Sequence, residues 1–459
     1  MSESIEMMMA ELGSFDPEER SAAIERLAEL EGSEQIEPEP SGGAVNMHCH
    51  TFFSYNAWGY SPARIAWEAH MRGLEVAGVV DFDCLDAVGE FLKAGRTLAL
   101  KTTAGFETRV YIDEYRDRVI NSPKEPGVFY LVGAGFTEVP PPGSPAAAVL
   151  KGMASGARER NLDMLRRLNS HLDPVRLDYE RDVLPLTVAG NATERHVLDA
   201  YEARARAAMP EPEALAGFWA ERLDVDAGKV GSLLDRPVML KELVRARLMK
   251  HGGVGYAEPG EGAFPPIEEV VGMTLECGAM PSGCWLDGTN DGEADPVELF
   301  SFLREKGCVS ITMVPDRNWN VAEDERALRV ANLARAVEAA RGLQMPILVG
   351  TEMNKPGNKF VDEFDSEALS PHFEEFRRGA HIAWGHTLLK MTAGIGYVGS
   401  WAEEQFGSDA AGKNEFFRRI GAAPYPGGDV LARCAQMGTQ ASPEALTELL
   451  CDGAGCGAG

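Results

Sequence analysis

The sequence predicts an α/β fold of strands joined by crossover helices. Seven short apolar runs, at residues 44–48, 76–81, 103–110, 128–133, 279–286, 308–314 and 346–352, alternate with stretches of helical periodicity. Such alternation argues for a parallel sheet, because a parallel connection needs a crossover long enough to hold a helix. Polar residues gather at the C-terminal ends of the runs: His48 and His50, Asp81, Glu107, Glu352. In α/β barrels that end carries the chemistry. The 459 residues suffice for two or three ordinary domains, or for one barrel with an insertion.

In order along the chain, residues 1–43 read as a helical appendage and linker. Asp16 and Pro17 are an N-cap and a first helical residue; Ile24, Leu27 and Leu30 supply an apolar stripe. Pro and Gly enrich residues 36–43 as in a linker. The barrel is expected over 44–400. Pro62 opens its first crossover helix, Ile65, Ala66 and Ala69 face inward, and Gly73 closes it. After the fourth run the alternation stops, and about 155–265 reads as a helical insertion. A helix near 372–378 and a further apolar run at 381–386 follow the last strand. Residues 401–459 read as a C-terminal helical segment with a flexible Gly-rich tail.

Composition narrows the function. With 44 basic and 71 acidic residues the net charge is −27, which opposes nucleic-acid binding, since that requires Lys and Arg against phosphates. A small anionic substrate stays compatible, because a bound metal reverses the local field. No stretch is long and apolar enough to span a bilayer. The eight cysteines are scattered without a close pair, and the N-terminus has no basic-then-apolar signal. Both features point to reduced thiols and a cytoplasmic location. The sequence leaves the oligomeric state open.

The motif with the clearest chemistry is His48-Cys49-His50-Thr51 at the end of the first run. Residues i and i+2 of a strand share a face, so both imidazoles can address one divalent ion. His48 to Thr51, Ser61-Pro62, Gly73-Leu74, the stretch Val79 to Asp83 and Gly105-Phe106-Glu107 follow in that order. Together they resemble the PHP (polymerase and histidinol phosphatase) superfamily, whose motifs run H-x-H-T, S-P, A-x-x-x-G-L, T-D-H-D and G-x-E. The stretch from Gly190 to His196 is similar to the family's segment before a helical insertion, and Gly350 to Asn354 resembles its G-S-D-x-H. The resemblance covers most of residues 44–355. It implies a distorted seven-stranded (β/α)7 barrel of PHP type, up to three metal ions and phosphate-ester hydrolysis.

Departures from the family pattern reduce the expected metal count. Phe82 and Asn354 stand where the family has histidines, Asn56 lies near another ligand position, and Gly283-Cys284-Trp285 replaces A-H-P. His48, His50, Glu107 and Glu352 remain, a sufficient set for one divalent ion, Zn, Mn or Fe.

Around that set, Asp81 is a candidate to take a proton from an activated water or else to orient an imidazole. The resemblance suggests His196 near the substrate as a second proton carrier. Arg317, in a polar turn after the sixth run, can bind a phosphate or carboxylate through both edges of its fork. Asn354, Lys355 and His386 complete the substrate-binding candidates, with Arg109 and Lys241 as weaker anion-binding positions. These readings predict a metal-dependent hydrolase, a phosphoesterase using a metal-activated water on a small phosphorylated substrate. The alternatives are single-metal hydrolysis of an amide, ester or lactone on the same barrel, and a non-catalytic ligand-binding protein.

Overall fold

The computed structural model describes residues 3–260 and 262–452. Its seven strands are β1 (Val45–Cys49), β2 (Val76–Phe82), β3 (Lys101–Tyr111), β4 (Val128–Ala134), β5 (Met280–Trp285), β6 (Ser310–Met313) and β7 (Ile347–Val349), and they form one sheet in sequence order. The chain after β7 returns to β1. There the His50 N–H donates to the Glu352 carbonyl at 2.8 Å, and the Glu352 N–H to the His48 carbonyl at 2.7 Å. These bonds nearly close the sheet into a barrel. The approach is possible because residue 350 is glycine: a Cβ there would lie 2.4 Å from the His48 nitrogen.

One strand departs from the expected parallel order. β4 is antiparallel to both β3 and β5, while the other neighbouring pairs are parallel. The reason lies in residues 112–127, which hold one short 3₁₀ turn and fold back through an Ile112 N–H to Gly127 carbonyl bond. Without a crossover helix the chain cannot return to the starting edge, so it pairs as a hairpin.

Helices wrap the sheet. α1 (Glu3–Glu11) and α2 (Pro17–Gly32) form the N-terminal appendage, and Asp16 caps α2 as expected. The appendage is built into the barrel rim: the Ser61 hydroxyl donates to the Leu12 carbonyl, and buried Arg20 pairs with Glu90 and lies over the Phe52 ring. α3 (Pro62–Met71) starts on a Ser61 cap. α4 (Ala87–Thr97) crosses between β2 and β3. The 381–386 run is not a separate element but the middle of one helix, Phe373–Ala393, laid against the sheet. Gly379 sets that contact, since a Cβ there would meet the Ile347 carbonyl oxygen at 1.8 Å. The tail from residue 453 onward, expected to be flexible, lies outside the described residues.

The helical insertion starts earlier than expected, at α5 (Pro145–His171), and continues through α6 (Glu194–Ala208) to Met249. Its apolar side chains, among them Leu165, Val197, Tyr201, Trp219 and Leu240, form a core distinct from that of the barrel. No helix among the described residues is long and apolar enough to cross a membrane. Cys49, Cys84, Cys277, Cys284, Cys308 and Cys434 are free thiols.

Candidate metal centre

β1 ends at Cys49, and its register against β2 shifts between Asn46 and Cys49. This irregularity and the bonds to Glu352 bring His48 and His50 together with Glu107 from β3. The ligand atoms of His48, His50 and Glu107 all lie within 4.8 Å of one another. His48 Nε2 is 3.1 Å and His50 Nε2 3.0 Å from Glu107 Oε2. All three are buried, and His48 Nδ1 and His50 Nε2 have no hydrogen-bond partner. An unpaired buried ring nitrogen beside a carboxylate is a costly arrangement unless a cation takes up the lone pairs.

Electrostatics give the same picture. Burial would push Glu107 up, but the His48 and His50 imidazoles outweigh it and hold the carboxyl below its ordinary range. Burial would likewise discharge His48, yet Glu107 raises the imidazole's pKa. Glu107 thus draws positive charge to the imidazoles, which a proton supplies and a divalent ion would replace, and the N/O donor set fits a divalent transition metal.

A buried relay orients His50. Its Nδ1 lies 3.3 Å from the Ser54 hydroxyl, which donates to Asp81 Oδ1 at 2.6 Å. Asp81 also accepts from the Thr51 N–H at 2.7 Å and the Thr51 hydroxyl at 2.6 Å. With Nδ1 engaged on this side, Nε2 is the nitrogen aimed at Glu107. Both Asp81 oxygens are occupied and fully buried, so Asp81 holds an imidazole through Ser54 rather than facing the site to carry a proton. Phe82 covers the other side, its ring stacked on His50 at 4.1 Å and 25°. Asn56 shapes the loop instead of offering a ligand: it donates to the His50 carbonyl and accepts from the Trp58 and Tyr60 N–H groups.

Glu352 is not a fourth member of the group. Its φ of +67° and that of Met353, +61°, turn the chain sharply after β7. The Glu352 carboxylate then lies 3.6 Å from Arg317 Nε. It remains close enough to His48 to favour the charged imidazole. Arg317 follows β6 on a short helical turn, stays 45 % exposed, and has its own charge reinforced chiefly by Glu352.

Other candidates fall away from the centre. His196 is the N3 residue of α6, and its Nδ1 accepts the Thr193 N–H at 3.0 Å in a capping box. Burial draws its pKa down to about 4, so it caps a helix as a neutral ring and is not placed as a proton carrier. His386 is fully buried in the helix over the sheet. Its Nε2 donates to the Gly135 carbonyl and its Nδ1 accepts the Tyr397 N–H, each at 2.9 Å, which leaves nothing for a substrate. Asn354 is half-buried beyond the Glu352 turn, while Lys355 is exposed and its charge acts on Glu242 of the insertion. Lys241 is engaged by Asp199 at 2.7 Å. Cys284 is near Glu107 and Glu352, but burial pushes its thiol far up, so it stays neutral.

Sequence reasoning missed Ser54 and Tyr130. Ser54 stands four residues after His50, within reach of its ring; Tyr130 becomes visible only once β4 is known to be antiparallel. Cavities of about 250 and 370 Å³ open elsewhere, one between α5 and the barrel rim, one beside Pro296 and Arg335, and no residue of the triad lines either.

No protein-family model matches the chain, and no curated protein matches it. The resemblance to the PHP superfamily therefore rests on the ordered motifs alone. Among solved structures, a Bifidobacterium adolescentis protein provisionally assigned as a metal-dependent phosphoesterase is 15 % identical, with a TM-score of 0.47, over 73 % of this chain and 98 % of that one. An amidohydrolase from Chromobacterium violaceum, solved with sulfate and no metal, is 16 % identical, with a TM-score of 0.47, over 73 % of this chain and 96 % of that one.

Proposed function

We propose that this protein is a metal-dependent hydrolase that holds one divalent ion, Zn, Mn or Fe, on His48, His50 and Glu107 and acts on a small phosphorylated substrate. The observation that carries the reading is the buried triad, in which His50 Nε2 faces Glu107 with no hydrogen-bond partner. A divalent ion bound there supplies Lewis-acid polarisation of the scissile group and a water of lowered pKa. Glu107 contributes the negative charge that retains the ion, and His50 is presented in one tautomer by Ser54 and Asp81. Phe82 occupies the face of His50 where a further ligand would stand, which supports one ion rather than two or three. Arg317, partly exposed beside Glu352, binds the anionic group of the substrate in charge-assisted hydrogen bonds.

The Phe82 stack also supports a second reading. A single ion suffices for hydrolysis of an amide, ester or lactone, whereas phosphoryl displacement commonly uses two. Elemental analysis of protein purified without chelator, with a His50→Ala variant beside it, tests the common premise. About one ion per chain, lost in the variant, is expected. Metal-dependent turnover of phosphomonoesters over amides and lactones then selects the first reading. Protein that binds no ion after soaking with Zn, Mn and Fe overturns both and leaves a non-catalytic binding protein.

A further inference from the structure

Arg109 and Tyr130 stand together on β3 and β4 one step beyond the triad. Glu107 points inward to the two histidines, so Arg109, two residues further along β3, shares its face and sits about 7 Å nearer the mouth. Across the antiparallel pair, Arg109 is the register partner of Tyr130, which places their Cβ atoms about 5 Å apart. Tyr130 is half-buried, and its hydroxyl makes no hydrogen bond among the described residues. Its electrostatic neighbours are Arg109 and, against it, the carboxylates Glu107, Glu125 and Glu194.

Arg109 is positioned but not used up. One terminal nitrogen meets Glu125 at 3.2 Å, and the side chain keeps 30 % exposure. Its guanidinium lies 4.3 Å above the Phe264 ring, with the Arg160 guanidinium 4.6 Å from the same ring. Behind them Arg245 and Lys250 both reach Glu194, and Arg245 also lies 3.9 Å from Glu242. Four cations, Arg109, Arg160, Arg245 and Lys250, are thus gathered among the carboxylates Asp83, Glu125, Glu194 and Glu242, in a chain whose overall charge is −27. Burial chiefly, with repulsion from Arg109 set against attraction from Asp83, Glu125 and Glu159, draws Arg160 down to about 10.

We propose that Arg109 and Tyr130 form a distal subsite for a second anionic group, so that the substrate is a two-headed anion. One head reacts at the triad, and the other, a carboxylate or phosphate about 7 Å away, is held by the free edge of Arg109 and the Tyr130 hydroxyl. The distal head sets specificity by fixing the reacting one in place. The identity of the proximal head rests on the function proposed above; the distal subsite does not.

The test is calorimetric binding of methylphosphonate and of butane-1,4-bisphosphonate to the metal-loaded protein, which needs no turnover. The bisphosphonate is expected to bind at least about 30-fold more tightly, because the second head adds charge-assisted bonds without a second association cost. In Arg109→Gln that ratio is expected to fall to within about threefold, with methylphosphonate affinity unchanged. Arg109→Lys is expected to retain part of the ratio, and Tyr130→Phe to lower it several-fold. The Tyr130→Phe result decides the matter should Arg109→Gln melt below the wild type. A ratio near one in the wild type, or one unaltered by both variants, overturns the subsite. Methylphosphonate binding that ignores both metal removal and His50→Ala overturns the metal reading instead, and leaves the Arg109-dependent ratio standing.

Discussion

Asp81 is the residue whose role geometry decides most clearly. A carboxylate that moves protons must reach the reacting water, but both oxygens of Asp81 are occupied by Thr51 and Ser54. Its influence passes through the Ser54 hydroxyl to His50 Nδ1. Asp81→Asn is therefore expected to weaken metal binding about 10- to 100-fold, the usual effect of losing such a partner. Competition with a chromophoric chelator measures this. Unchanged affinity with a collapsed kcat and a displaced pH profile would instead make Asp81 a proton carrier. His48 and His50 were legible in the sequence because a two-residue spacing at a strand end points to a common face, and Glu107 because Gly105-Phe106-Glu107 resembles the family's G-x-E. Glu352 was not, because its direction depends on two consecutive left-handed residues and on the pull of Arg317. His196 and His386 show why a lone histidine is ambiguous: sequence cannot reveal that a ring nitrogen caps its own helix or bonds a carbonyl on a distant loop.

Among elements, the seven strands followed from apolar runs bounded by helical stretches, but an apolar run carries no direction. The antiparallel β4 follows from what is missing between residues 112 and 127, a crossover helix. The long helix over the sheet was read as two pieces because its middle is apolar on all sides, which is how a fully covered helix looks. Gly379 lets its backbone touch β7. An ion cluster then ties it down: Glu75, ahead of β2, accepts from His381 at 2.7 Å and from Arg377 at 3.1 Å, with Lys101 at 3.3 Å. Burial pushes Glu75 up, but these cations prevail and hold it at about 2, against an ordinary 4.5. A carboxyl depressed in the folded state stabilises fully above its unfolded value, and that contribution is lost as pH falls towards the folded one. Urea midpoints are thus expected to drop more steeply between pH 4.5 and 2 for the wild type than for Glu75→Gln. Parallel slopes would show that the cluster contributes nothing to acid stability.

At the scale of the molecule, the barrel and the insertion have separate hydrophobic cores, and α5 spans both, with Met153 in one and Leu165 in the other. Polar contacts join the two parts at the mouth: the Tyr55 hydroxyl donates to Asp199 at 3.0 Å, and the Asn191 amide donates to the Phe53 and Phe82 carbonyls. The last two tie the insertion to the loop and the strand that flank His50. Two cores joined through polar contacts need not melt as one unit, whereas a metal on the triad stabilises only the part that binds it. At a free metal concentration 100 times the Kd, that linkage amounts to about 2.7 kcal/mol. Calorimetry of the metal-free protein is therefore expected to show two transitions, and adding metal to raise only that of the barrel. Hydrogen exchange provides the assignment, with slowed exchange in β1 and β3 and little change at Trp219 and Leu240 of the insertion core. If both transitions rise together, the mouth contacts couple the cores more strongly than their polar character implies, and the insertion is then part of the metal site's rigid frame.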